Sequence, residues 1–275
     1  MTSSARNWIR TGLFASLVAM PAAVFSADRS TKNLRKPNPD HRTVEMFAAI
    51  ESKEIEVRLI PKDATEARVL IRNNTKKPLN VQLPAAFAGV PVLAQWGGGG
   101  GGGGLGGGGG GGGNQAMGGG MGGGMMGGGG MGGGGMGGGM FNIAPEQVGQ
   151  FKVATVCLEH GKKVPRPQIP YKIAPLDRVT TEPGVKELLV AFGSGRINQR
   201  VAQAAAWHLA NGLSWEQLAA KRIKHLNGTS ERWFSPQEIR AGMQLARAAT
   251  LKAQETPPKS PGESATLSQS ISRID

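Results

Sequence analysis

From Glu54 to Leu59 the chain alternates, with Ile55, Val57 and Leu59 apolar and Glu54, Glu56 and Arg58 charged. A period of two sends successive side chains to opposite faces, so this run predicts a strand with one buried face. Ala67 to Arg72 is aliphatic and β-branched. The polar stretch Asn73 to Pro78 turns the chain, and Leu79, Val81 and Leu83 then alternate with Asn80 and Gln82. Further strands are expected at Val90 to Ala94 and Phe151 to Leu158, and one short helix within Thr43 to Ser52, through Val44, Phe47, Ala48 and Ile50.

After a connection containing Pro165, Pro167 and Pro170 the period lengthens to that of a helix. Val185, Leu188, Leu189 and Phe192 fall at i, i+3, i+4 and i+7 and stop at Gly193. Arg196 to Ala210 is alanine-rich and ends at Asn211-Gly212. Ser214 with Gln217, and Ser235 with Glu238 behind Pro236, form two capping boxes, the second opening a helix to about Ala253. The pattern predicts an α+β fold, a small antiparallel immunoglobulin-like sheet followed by a small helical bundle.

Composition divides the chain. Residues 97–140 hold 33 glycines in 44 positions and no charge. Glycine buries no side chain and loses the most backbone freedom on ordering, so the tract reads as a solvated low-complexity loop between two strands of one sheet. A flexible loop of that length costs only about 2 kcal/mol more to close than a tight turn, which a sheet can carry. The resulting organisation is a signal peptide over 1–27, an extended leader over 28–42, a β domain over 43–96 and 141–162, the Gly/Met loop over 97–140, a proline-rich connection and helical domain over 163–255, and a polar tail over 256–275.

The first segment has Arg6 and Arg10, then an apolar run from Gly12 to Phe25, then small residues, which is the layout of a cleaved secretory signal. At about 14 residues the run is short of the roughly 20 that span a bilayer, and no later stretch does better. The expectation is a secreted, periplasmic or cell-envelope protein with no membrane span after cleavage. Thirty-two Lys and Arg against 19 Asp and Glu give a net charge of +13. A basic exported surface draws polyanions, so the expected partners are anionic envelope or extracellular polymers or surface proteins. Basic runs interleaved with aromatics are missing and Tyr171 is the sole tyrosine, so a dedicated nucleic-acid platform is not expected.

Few residues carry chemistry. The methionines Met117, Met121, Met125, Met126, Met131, Met136 and Met140 are soft ligands on an apparent loop and define a candidate copper site. The four histidines show no ligand spacing and no cofactor is expected. The sole cysteine, Cys157, excludes an intrachain disulfide. It lies in Val156-Cys157-Leu158-Glu159, while the alanine-rich helix carries Ala202-Gln203-Ala204-Ala205-Ala206-Trp207-His208-Leu209.

A glutamine one turn before a tryptophan, with a strand cysteine elsewhere, resembles bacterial internal-thioester adhesion domains. That resemblance implies a bond between Cys157 and Gln203 that acylates an amine on a target, with His208 at most accessory. Those domains have threonine before the glutamine and an aromatic before the cysteine, where this chain has Ala202 and Val156. The other reading of the pair is plain packing between helix and sheet. More widely, Leu79 to Gln95, Val156 to Lys162, Pro170 to Pro175 and Val201 to Lys221 resemble a family of exported planctomycete proteins with no established activity. These features predict a non-enzymatic envelope or extracellular binding or scaffold protein, with a covalent thioester adhesin and a copper-handling protein as the alternatives.

Overall fold

The structure, a computed structural model, describes residues 34–92, 113–121 and 139–255. The expected signal peptide, most of the glycine tract and the tail 256–275 lie outside them.

Strand β1 (Thr43–Glu45) runs directly into helix α1 (Met46–Glu51), whose N-cap Glu45 accepts a hydrogen bond from Ala48 N at 2.8 Å. The alternating run becomes β2 (Ile55–Pro61), with Ile55 and Leu59 buried, and pairs along its whole length with β3 (Glu66–Asn73). Then follow β4 (Leu79–Gln82), β5 (Ala86–Pro91), β6 (Met117–Gly120), β7 (Met140–Ile143), β8 (Val148–Cys157) and β9 (Tyr171–Ala174).

Strands β2, β3, β8, β6, β5 and β9 close in that order into an antiparallel barrel, so the mixed α+β class holds and the main sheet has no free edge strand. Closure is made by Leu59 of β2 opposite Tyr171 of β9. The long β8 pairs with β3 through Val148 to Ala154 and with β6 through Thr155 to Cys157. Phe87, Met117, Phe151, Val69 and Ile71 belong to the core cluster of this barrel. A second sheet lies beside it, with β1 parallel and β7 antiparallel to β4.

The glycine tract is thus not one loop. Residues 117–120 are a barrel strand, and Met117 and Met121 are fully buried in the core. What a run of glycine buries here is backbone: a Cβ on Gly118 would meet Leu189 and Leu158, and one on Gly119 would meet the Phe87 ring at 2.6 Å. Bare main chain lets the neighbouring helix and ring approach closer than any side chain would allow.

The leader also does more than extend. Arg35 exchanges two main-chain hydrogen bonds with Asn142, and Leu34 packs on the barrel core. Asn80, 2% exposed, ties this segment down: its Nδ2 donates to the carbonyls of Asn38 at 2.7 Å and His41 at 2.9 Å, and its Oδ1 accepts from Asn142 Nδ2 at 3.0 Å. Asn80→Ala leaves several buried groups unpaired, so a loss of about 2–4 kcal/mol in chemical denaturation is expected, with faster amide exchange in residues 35–42.

Helices α2 (Pro183–Phe192), α3 (Gln199–Asn211) and α5 (Pro236–Glu255) pack on one another, and the short α4 (Trp215–Ala220) packs on α5. Both expected capping boxes form: Ser214 Oγ accepts from Gln217 N at 3.2 Å, and Ser235 Oγ from Glu238 N at 3.2 Å. Between α4 and α5 a hairpin, β10 (Arg222–Lys224) and β11 (Ser230–Arg232), turns back so that Trp233 N donates to Lys221 O at 2.8 Å. No helix among the described residues is long and apolar enough to cross a membrane.

Candidate functional site

Cys157 is the last residue of β8. The period of two puts Phe151, Val153, Thr155 and Cys157 on one face and Val156 and Leu158 on the other, against α2 and α3. Beyond Ala154 β3 no longer runs beside this strand.

Gln203 enters from α3. Asn198 caps that helix by accepting from Arg200 N at 2.8 Å, and Gly212 ends it in the left-handed conformation with φ of 66°. The buried alanines Ala202, Ala204, Ala205 and Ala206 bring its axis close to the barrel and to α5. At that range the Gln203 carboxamide reaches the strand. Its Oε1 accepts from Cys157 N at 2.8 Å and its Nε2 donates to Cys157 O at 2.9 Å. This two-point clasp is 4% exposed at Gln203 and 1% at Cys157.

The structure therefore brings together two residues 46 apart that the sequence singles out as a pair. Sγ is three covalent bonds from the nitrogen that the carboxamide oxygen grips, and both residues line one cavity. Cys157 is a free thiol packed in a cluster with Ala204, Trp207, Leu218 and Phe234. Burial, and then the nearby Asp63 carboxylate, push its pKa up to about 12. At neutral pH it is a thiol and not a thiolate.

A cavity of about 570 Å³ opens onto the pair, walled by Trp207, Trp233, His160, Lys221 and Gln115 among others. Trp207 stands one helical turn beyond Gln203 on the same face. Two buried groups on this wall have no hydrogen-bond partner among the described residues, Trp207 Nε1 and Gln115 Oε1. His160 meets the Trp207 ring edge-on at 4.9 Å, and its Nε2 lies 2.9 Å from Lys221 Nζ. Burial, and then Lys221, hold His160 below its ordinary value of 6.5, and burial lowers Lys221 as well.

The depressed His160 has a pH consequence. Below about 6.5 the unfolded chain takes up the imidazole proton before the folded chain does, so stability falls as pH drops from there through the folded value. A His160→Gln variant is expected to lose that part of the slope, read from denaturation midpoints between about pH 7 and pH 5.

The other sequence candidates scatter. Met117 and Met121 are enclosed by the barrel core, Met140 opens β7 and is partly exposed, and Met125, Met126, Met131 and Met136 lie outside the described residues. Met117 and Met121 are thus not loop ligands, their thioethers being sealed behind apolar side chains. Among the described residues no group of three or more His, Cys, Asp and Glu is placed to hold a metal. His208 stacks on Trp215 at 4.2 Å, and its Nδ1 lies 2.8 Å from Leu213 O, away from the clasp.

Sequence reasoning missed His160, Lys221, Trp233 and Gln115. His160 is three residues past Cys157 and was within reach of inspection. Lys221 and Trp233 meet only through the β10–β11 hairpin, and Gln115 sits in one of the short breaks in the glycine tract. Comparison with protein-family models, with curated proteins and with solved structures finds no match.

Proposed function

We propose that Cys157 and Gln203 form an internal thioester and that the protein is an exported covalent binder, an adhesin that acylates an amine on its target once. The observation that carries this reading is the buried clasp of the Gln203 carboxamide on the Cys157 peptide unit. It favours the covalent alternative over a passive scaffold, which needs neither residue.

The chemistry balances without a cofactor. Cys157 Sγ bonds to Gln203 Cδ, the Cδ–Nε2 bond breaks, and the thiol proton leaves with the nitrogen as ammonia. A target amine then bonds to Cδ, the Cδ–Sγ bond breaks, and the thiol is regenerated with a proton from the amine. Fixing the carboxamide on the residue that carries the thiol supplies the proximity that this attack otherwise lacks. Burial suits the product: a thioester is uncharged, and the apolar walls keep water from it. A leaving thiol with a pKa pushed up to about 12 departs slowly, so the acyl group is released slowly to amine and water alike.

The test is methylamine labelling with peptide mapping. The reading predicts one methylamide on Gln203 and, on unfolding, one alkylatable thiol at Cys157, with neither product in Cys157→Ala. Unlabelled Gln203 beside a freely alkylated Cys157 would leave the clasp as a main-chain lock and the protein as a non-covalent basic scaffold.

A further inference from the structure

Lys221 caps the C-terminus of α4 and points its amine into an unusual setting. Nζ lies 5.2 Å from the centroid of the Trp207 ring and 5.0 Å from that of Trp233. The two indoles are 5.8 Å apart and tilted by 52°, and His160 completes the enclosure, its Nε2 2.9 Å from Nζ. Half-buried ammonium groups ordinarily pair with a carboxylate. Among the described residues Lys221 has none: the ion pairs of this region, such as Lys162 with Glu159 and Arg200 with Glu238, belong to other cations. Two electron-rich faces and a neutral imidazole hold it instead, which is how proteins recognise alkylammonium groups.

We infer that Trp207, Trp233 and His160 form an alkylammonium subsite whose internal occupant is Lys221, and that a lysine side chain of the target displaces Lys221 to reach the acyl carbon. The second half rests on the thioester reading. The site has the right neighbours, since Cys157, Gln203 and the three cage residues line one cavity. It also has the right chemistry. An ammonium cannot attack a carbonyl until it loses a proton, and His160 Nε2, already against Nζ of the occupant, is placed to accept it. The neutral amine bonds to Gln203 Cδ, the bond to Cys157 Sγ breaks, the second amine proton passes to the sulfur, and His160 returns its proton to solvent. While Lys221 stays in place it fills the subsite that a target lysine needs, and methylamine, small enough to pass beside it, still reaches the acyl group.

Tetramethylammonium separates the cage from the covalent chemistry, because it can take the place of Nζ against both indoles and cannot react. In full-length Lys221→Ala, titration is expected to shift the Trp207 and Trp233 indole proton resonances saturably, with an affinity about tenfold above that of the unaltered protein. Lys221→Met, which refills the space with an apolar stem, is expected to abolish the gain. Lys221→Ser opens the same space and must repeat the alanine result, which keeps the idea testable should the alanine variant fold poorly. A natively folded alanine or serine variant that binds no better than the unaltered protein would overturn the subsite. The titration repeated in the Cys157→Ala, Lys221→Ala double variant divides the two claims. Saturable shifts there, with no methylamide on Gln203 of the unaltered chain, sink the thioester and the target-lysine role and leave the cation subsite standing. A methylamide without shifts does the reverse.

Discussion

Gly120→Ala is expected to cost the fold about 3 kcal/mol or more and to move Gln203 off Cys157. A Cβ on Gly120 would run into the carbonyl oxygen of Leu189 and come within 2.7 Å of Gly193 Cα and N. Both obstacles are main chain, so no rotamer change relieves them, and α2 must lift from β6. The reciprocal change shows the same contact, since a Cβ on Gly193 would lie 2.6 Å from Gly120 C. Because α2 packs on both β6 and α3, a displaced α2 withdraws the support of the helix that carries Gln203. Chemical denaturation of Gly120→Ala and Gly193→Ala measures this. A loss below about 1 kcal/mol in both would contradict the close approach of strand and helix.

Gln203→Glu is the second large effect, and it separates packing from chemistry. The introduced carboxyl has nearly the shape of the carboxamide, yet it offers no ammonia to expel, so methylamide formation should fall below detection. Ionised, it would turn an acceptor toward Cys157 O in place of the Nε2 donor and bury a charge, so the group is expected to stay protonated, its pKa raised by burial. By linkage, a raised carboxyl pKa contributes stability below the unfolded value and loses it as pH climbs through the folded value. The variant should therefore lose about 1–3 kcal/mol by pH 8 and less at pH 5. Gln203→Ala, which leaves Cys157 N–H and C=O both unpaired, should lose more than Gln203→Glu at pH 5. Methylamide persisting in either variant would remove Gln203 from the reaction.

What could be read from the sequence follows from how each element is stabilised. The alternation at Ile55 to Leu59 and the helical spacing at Val185 to Phe192 come from one-sided burial, and both elements stand where the patterns put them. The caps at Ser214 and Ser235 are local chemistry and were equally readable. Strand β6 was not, because its burial is of bare backbone, and glycine shows no apolar period. Only Asn114, Gln115, Ala116 and Met117, together breaking the glycine run, hinted at it. Strands β7 and β9 are four residues each, too short to show a period, and proline beside Tyr171 made β9 resemble a connection.

The candidate site divides the same way. Cys157 and Gln203 were legible because few residue types can make a thioester, and a lone cysteine and a glutamine one turn before a tryptophan stand out in a chain otherwise poor in chemistry. The cage was not legible. Its lysine and tryptophan are brought together by a hairpin whose strands are three residues each, and its histidine stands out only by what faces it.

The most direct test is the intact mass of the purified, untreated protein beside that of Cys157→Ala. The account predicts a mass lower by one ammonia than the sequence of the mature chain requires, restored on methylamine treatment to that of the methylamide, with the variant showing neither deficit nor gain. A full sequence mass, with Cys157 alkylated in the unfolded chain and no response to methylamine, would contradict the thioester.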